Sequence, residues 1–387
     1  MITEIKTSKR IYSLDSLRAI MMLLGLVLHS AVTYGVYENS AWSLKDSITH
    51  VSNDYIVNFI HTFRMQIFFL VAGFFGSMLF YERKVFKMIK NRVVRIVFPF
   101  ILFTVLLWPT VFFSFGYTKL VFEGNVNALE TIISFFSNPF VLIPQHTFHL
   151  WFLYYLVLIT GVSVILALVL QKFPRLTNYI SCVFNWIISR PSFRIIVFAS
   201  ISSIFYSVIG SWSVGPSISF FPNFNTFSYY FIFYIVGWIL FKSKHLLYTF
   251  MKNDWLFTIL GVILFSFYFF VTDIAYIFHI IIKSTIVWLF IFGIIGLFMR
   301  YANYYSPIMR YISDASYWVY LVHLPLTAII PALISDLIMP ATLKFILVLI
   351  ITSFLCFLSY HYFVRGTVIG KFLNGRKYSG KITDIKV

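Results

Sequence analysis

Charge is scarce in this sequence, and negative charge is scarcer still. Of 387 residues only 11% are charged, with 13 Asp and Glu against 30 Lys and Arg. Soluble domains carry about a quarter charged residues, so a water-exposed globule is excluded. Cysteine is nearly absent: Cys182 and Cys356 lie far apart, each in or beside apolar sequence. That excludes a disulfide framework and a cysteine-based metal site. No HExxH or other close metal spacing occurs, so no metal is expected. Internal repeats and low-complexity tracts are also missing.

What is abundant is apolar sequence. Hydrophobic residues make up 60% of the chain and fall in runs of spanning length. The fold class is therefore all-α, a polytopic membrane protein. Ten spans are predicted, at about 12–36, 55–80, 95–116, 148–170, 194–212, 227–242, 255–273, 276–299, 311–331 and 342–364, the sixth short enough to begin earlier. The net charge of +17 does not read as nucleic-acid binding, because the basic residues form short clusters between these runs. Lys6, Lys9 and Arg10, the Arg83–Arg95 loop, Lys172 to Arg194, Lys242 to Lys252, Arg300 to Arg310 and the tail from Arg365 all fall on one side. The other side holds only Lys45, Lys119 and Lys344. The positive-inside rule then puts both termini in the cytoplasm, which an even number of spans requires. The basic residues before span one would suit a signal peptide, but the run is too long and carries charge, so it is expected to remain as the first span. The organisation expected is one transmembrane domain over residues 1–370 and a basic cytosolic tail over 371–387 resting on anionic lipid. The longest outer segment, Tyr117 to Thr147, has an apolar patch at Ile132 to Phe136 that predicts a short interfacial helix.

Span one carries Asp15, Arg18 and His29. At about 100° per residue, Arg18 and His29 return to nearly one face, roughly 16 Å apart along the axis. Met22 and Gly25 lie between them on that face. Ionisable groups inside a membrane are functional candidates by default. Span two places His61 and Arg64 on one face at about the depth of His29, with Gln66 angled away and Gly73 and Gly76 permitting close helix approach. Interhelical glue is the alternative role for His61, Arg64 and Gln66. His149 and Trp151 open span four at the outer interface, where Trp is an ordinary belt residue. Span nine carries Asp314 and Ser316 near the inner surface and His323 near mid-membrane, and Pro325 is expected to break or bend it. His279 and Lys283 form a further polar pair expected to face outer water, and His50, His245 and His361 are expected in interfacial or loop roles.

Arg18 and Arg64 have almost no membrane-embedded acid to pair with beyond Asp15, one turn from Arg18. Unpaired buried arginines imply an anionic ligand supplied from outside the chain. Histidine is the usual base for activating a hydroxyl. Together these point to group transfer from an anionic carrier on the cytoplasmic side to an acceptor from the outside.

The Arg18-x10-His29 pair, FFLVAGFF from Phe68 to Phe75, HLWFL from His149 to Leu153 and YLVHLPL from Tyr320 to Leu326 resemble the membrane acyltransferase-3 family. LDSLRAIMMLLG and FIHTFRMQIFF are similar to its glucan-modifying, succinylating branch. The resemblance covers most spans and implies a ten-span inner-membrane acyltransferase, moving an acyl group from cytosolic acyl-CoA to an envelope carbohydrate. It implies roles for Arg18 and for His29, the latter as base or acyl-relay residue. Asp15, His61 and Arg64 match the branch by position, while His149 and His323 are candidate substrate contacts. No cofactor is expected besides acyl-CoA as donor substrate. The partners expected are a periplasmic glucan or polysaccharide, the bilayer and glucan-synthesis proteins, with no nucleic acid. Some relatives carry an added SGNH hydrolase-like domain that this chain lacks, so transfer is expected to finish in the membrane domain or with a partner. Acetylation of O-antigen or exopolysaccharide is the enzymatic alternative. A transporter or flippase for an acyl or glycan-lipid ligand is the other class, disfavoured because no paired halves with matching interruptions occur.

Overall fold

A computed structural model describes residues 11–38, 42–83, 85–271, 274–375 and 378. Lys6, Lys9, Arg10, Lys84 and most of the expected tail (376, 377 and 379–387) lie outside the described residues. Within them the chain is helical, with no strand. The helices are α1 (Tyr12–Ala31), α2 (Val51–Glu82), α3 (Val85–Arg92), α4 (Phe98–Phe122), α5 (Ala128–Phe135), α6 (Trp151–Leu170) and α7 (Pro174–Ile188). There follow α8 (Pro191–Ile209), α9 (Phe224–Lys242), α10 (Asp254–Phe270), α11 (Tyr276–Tyr301), α12 (Pro307–Leu333), α13 (Ala341–Ser359) and α14 (Val368–Asn374).

Among the described residues, nine segments are long and apolar enough to cross a membrane, and a tenth is counted when Lys244–Lys252 and α10, bent by 66°, form one span. The chain is a multi-pass membrane protein. The ten predicted runs map onto these segments, and α9 begins at Phe224, a little before the predicted start. The segment after α4 contains the short helix α5, whose Ile132 packs against Gly116 of α4. Two helices lie where the basic clusters predict connections: α7, and α3, which runs through a π-turn at Val93–Val97 into α4.

Two expectations are corrected. Pro325 does not break its helix, because α12 continues through both Pro325 and Pro331 to Leu333. The backbone carbonyl that Pro325 cannot bond finds another donor, described below. Lys344 is not an exposed residue of an outer loop. It is fully buried on α13, and its Nζ donates to both carboxylate oxygens of Asp46 at 3.2 and 3.1 Å and to the Ser335 carbonyl at 3.1 Å. An ammonium in apolar surroundings requires such a counterion. This pair fastens the α1–α2 connection to α13. Asp54 does the same on α2, its carboxylate accepting from the backbone of Val36 at 2.6 Å and Tyr37 at 3.2 Å.

The closest helix crossing is α2 against α9. A Cβ on Gly73 would strike the Tyr234 carbonyl, and a Cβ on Gly237 would strike the Leu70 carbonyl. The two glycines thus let each backbone into the other's groove, the small-residue device of membrane helix packing. Gly161, by contrast, faces open space. Gly237→Ala is expected to cost about 1–3 kcal/mol through overpacking and to lower the melting temperature in detergent by several degrees. Gly161→Ala should leave it unchanged or slightly raised, and equal behaviour of the two variants would refute the close-crossing account.

Candidate active site

Four helices bring their polar side chains to one place. α1 supplies His29, α2 supplies Arg64, α12 supplies His323, and the turn before α6 supplies His149. They line a cavity of about 30 Å³, with Tyr320 and an apolar remainder that includes Met22, Phe68 and Phe152. Arg64 reaches this place because position 25 is glycine: a Cβ there would run into the guanidinium. The Arg64 Nε is buried without a partner, and no acidic side chain lines the cavity among the described residues.

The three imidazoles are held differently. His323 is 1% exposed, and its Nδ1 lies 3.0 Å from the Val319 carbonyl and 2.8 Å from the Tyr320 carbonyl. Carbonyls only accept, so Nδ1 carries the hydrogen and Nε2 the lone pair, and that Nε2 is buried without a partner. His149 Nε2 donates to the Leu321 carbonyl at 3.0 Å, leaving Nδ1 with the lone pair. Leu321 is the carbonyl four residues before Pro325, which has no N–H to offer it. Phe148, just before His149, is in the left-handed region at φ 44°, a conformation that costs about 1–3 kcal/mol. Thr147 anchors that turn by donating its amide to the Ile218 carbonyl at 2.8 Å. His29 makes no such bond. Its ring stacks on Trp42 at 5.2 Å, and Trp42 is steered by donating its Nε1–H to Thr33 Oγ1 at 2.9 Å. The His29 and His323 rings are 5.4 Å apart, and the His323 and His149 rings 5.3 Å.

A second cavity, of about 530 Å³, opens toward the end where α1 begins. Arg18, Arg92, Arg95 and Arg310 line it, with Asp15 and Asp314 as its only acids among the described residues. Arg18 lies 3.7 Å from Asp15, as the one-turn spacing predicts, and Arg310 Nε is 2.9 Å from Asp314. Arg95 Nη1 donates to the Leu373 carbonyl at 2.7 Å. Positive charge exceeds negative on these walls. Met22, Phe68 and Phe152 line both cavities and form an apolar neck between them.

Of the residues singled out in sequence, His29, Arg64, His149 and His323 come together, and Arg18 and Asp15 line the larger cavity. His61 does not line the small cavity; it lies within electrostatic reach of Arg64 and of Lys283 on α11. Gln66 points elsewhere and donates to the Tyr229 hydroxyl at 3.2 Å, a link between α2 and α9. Lys283 and His279 form a separate cluster on Trp212, with His279 Nδ1 3.0 Å from the Tyr268 hydroxyl. His50 caps α2, and His361 packs edge-on against Tyr362. Sequence reasoning passed over Trp42 and Arg310. No periodic signal marks a tryptophan in a connecting loop, whereas the i, i+4 spacing of Arg310 and Asp314 was a readable sign. Among the described residues, no group of three or more His, Cys, Asp or Glu is placed to hold a metal ion.

The model of an acyltransferase domain matches residues 11–361. The chain is 28% identical over 397 aligned positions to the Glucans biosynthesis protein C of Escherichia coli strain K12, covering 97% of this chain and 95% of the relative. The same identity and coverage hold for the proteins of that name from E. coli O157:H7 and O6:K15:H31. No solved structure matches. An acyltransferase model that spans nearly all of the helical body, including the whole lining of the small cavity and all of the large one except Leu373 and Asn374, makes this chain a membrane-bound member of the acyltransferase-3 family.

Proposed function

We propose that the protein is a bacterial inner-membrane O-acyltransferase that moves an acyl group, succinyl in preference to acetyl, from cytosolic acyl-CoA to hydroxyls of a periplasmic glucan. One observation carries this reading: a single face of α1 spans two cavities, with Arg18 in the large basic one and His29 in the small polar one. The basic clusters near the α1 entrance mark that side as cytosolic. Arg18, Arg92, Arg95 and Arg310 would hold the phosphates of the donor, as guanidinium groups do. The thioester would then reach through the neck toward His29.

In the transfer, the acceptor hydroxyl attacks the thioester carbonyl while His29 takes its proton. Arg64, beside His29 on the cavity wall, would hold the acyl group in place for that attack. The C–S bond breaks, the sulfur recovers the proton, and the acyl group leaves on oxygen. A dicarboxylic donor is favoured because Arg64, buried with no anion among the described residues lining its cavity, suits a carboxylate at the far end of the acyl chain. The glucan acceptor follows from the relatives' name.

Purified protein in nanodiscs, incubated with labelled succinyl-CoA or acetyl-CoA and an envelope glucan, tests the reading. Labelled glucan is expected, more from the succinyl donor, and no turnover of either donor would end the proposal. His29→Ala should lower transfer by about 10²-fold or more while still binding acyl-CoA; wild-type transfer by that variant would remove His29 from the mechanism. Arg92→Gln should raise KM for acyl-CoA several-fold with kcat little changed, checked by initial rates. Gly25→Ala, which displaces only the end of the Arg64 side chain, is expected to cut kcat about tenfold or more at an unchanged melting temperature.

A further inference from the structure

We propose that His323 holds the proton surrendered by the acceptor hydroxyl, as the second imidazole of a His29–His323 pair. The inference rests on the acyl-transfer reading above and adds a role for a residue on α12.

Its first ground is the fixed tautomer. Two carbonyls of α12, those of Val319 and Tyr320, accept from His323 Nδ1 and leave Nε2 as a buried lone pair with no partner. A buried acceptor without a donor is costly in a protein interior. At 1% exposure on a helix packed against α1, His323 cannot turn away to find one. The second ground is distance. The His29 ring is 5.4 Å away, centre to centre, and neither His29 Nδ1 nor His323 Nε2 has a hydrogen-bond partner, so one bridging water would join them. The 30 Å³ cavity between these groups is large enough for a molecule of that size.

The third ground is charge. Both imidazoles line the cavity that holds the Arg64 guanidinium and no carboxylate among the described residues, and on His29 a proton would meet no carbonyl. Moved to His323, the same charge is met by two carbonyl oxygens already aligned on Nδ1–H, and charged hydrogen bonds of this kind are the stronger ones. His149 is held in the same way, by one carbonyl instead of two, but its ring neighbours are His323, at 5.3 Å, and Tyr320 rather than His29.

The step balances without another reactant. The hydroxyl proton passes to one ring nitrogen of His29, and the hydrogen on the other passes to His323 Nε2. The C–O bond forms, the C–S bond breaks, and the proton returns through the pair to the coenzyme sulfur. His323 acts through His29, so it is a positioning residue that stores the proton.

The test uses full-length protein in nanodiscs with acyl-CoA and glucan. His323→Asn keeps a polar side chain but cannot take a proton, and His323→Gln serves as a second variant with a longer reach. For both, acyl-CoA affinity should stay within about twofold and kcat should fall about 10²-fold. The decisive reading is the dependence of kcat on the fraction of D2O: curved in the wild type, where two protons move together, and linear in the variants. Unchanged kcat in either variant overturns the inference, and so does a lower kcat with the curvature retained, which is the mark of a packing role. His29→Ala in the same assay separates the two proposals. If that variant is inactive while His323→Asn matches the wild type, only the role of His323 fails. If His29→Ala is fully active, the His29–His323 pair fails as a whole, whereas only the absence of turnover by the wild type ends the acyl-transfer reading.

Discussion

The carbonyl of Leu321 is the point on which the site turns. Pro325 leaves that oxygen without its helical donor, deep in a protein that has little else to offer it. His149 supplies the donor, 172 positions away in the sequence, and so ties the start of α6 to α12. Membrane interiors do not tolerate unmet backbone groups, so this hydrogen bond is hard to give up. It fixes the His149 tautomer, brings α6 to the level of His323, and places Phe152 where it can narrow the passage beside Met22 and Phe68. A proline usually read as a break is here a socket for a side chain.

Around that socket the chain separates its charges by function. Lys344 and Asp46, like Arg300 and Asp254, are matched pairs that hold helices and connections together. Arg64 is unmatched among the described residues, and the four arginines of the large cavity outnumber its two aspartates. In a chain with so few acids, leaving guanidinium groups short of partners is affordable only where an anion arrives from outside. The matched pairs are structure, and the mismatched groups are the expected contacts of the donor.

Much of this was legible in the sequence, for a definite reason. Helix geometry depends on spacing alone, so the shared face of Arg18 and His29 and the one-turn pairing of Asp15 with Arg18 follow from counting residues. The ten apolar runs were readable because a bilayer sets their length. Contacts that depend on which helices meet were not readable. Nothing local says that His149 faces α12, that Trp42 folds back over His29, or that Lys344 finds Asp46. His61 shows the converse: it shares a face of α2 with Arg64, yet only Arg64 reaches the cavity wall.

The neck of Met22, Phe68 and Phe152 has a consequence for side reactions. On the proposed reading a thioester lies beside an imidazole and is open to hydrolysis, and a membrane-spanning enzyme has water on both flanks. Two phenyl rings and a flexible thioether give a water molecule no hydrogen bond, while they can part around a short hydrocarbon chain. On the same reading the passage would discriminate by solvation rather than by size: it would let the activated carbon through and hold back the water that would waste it.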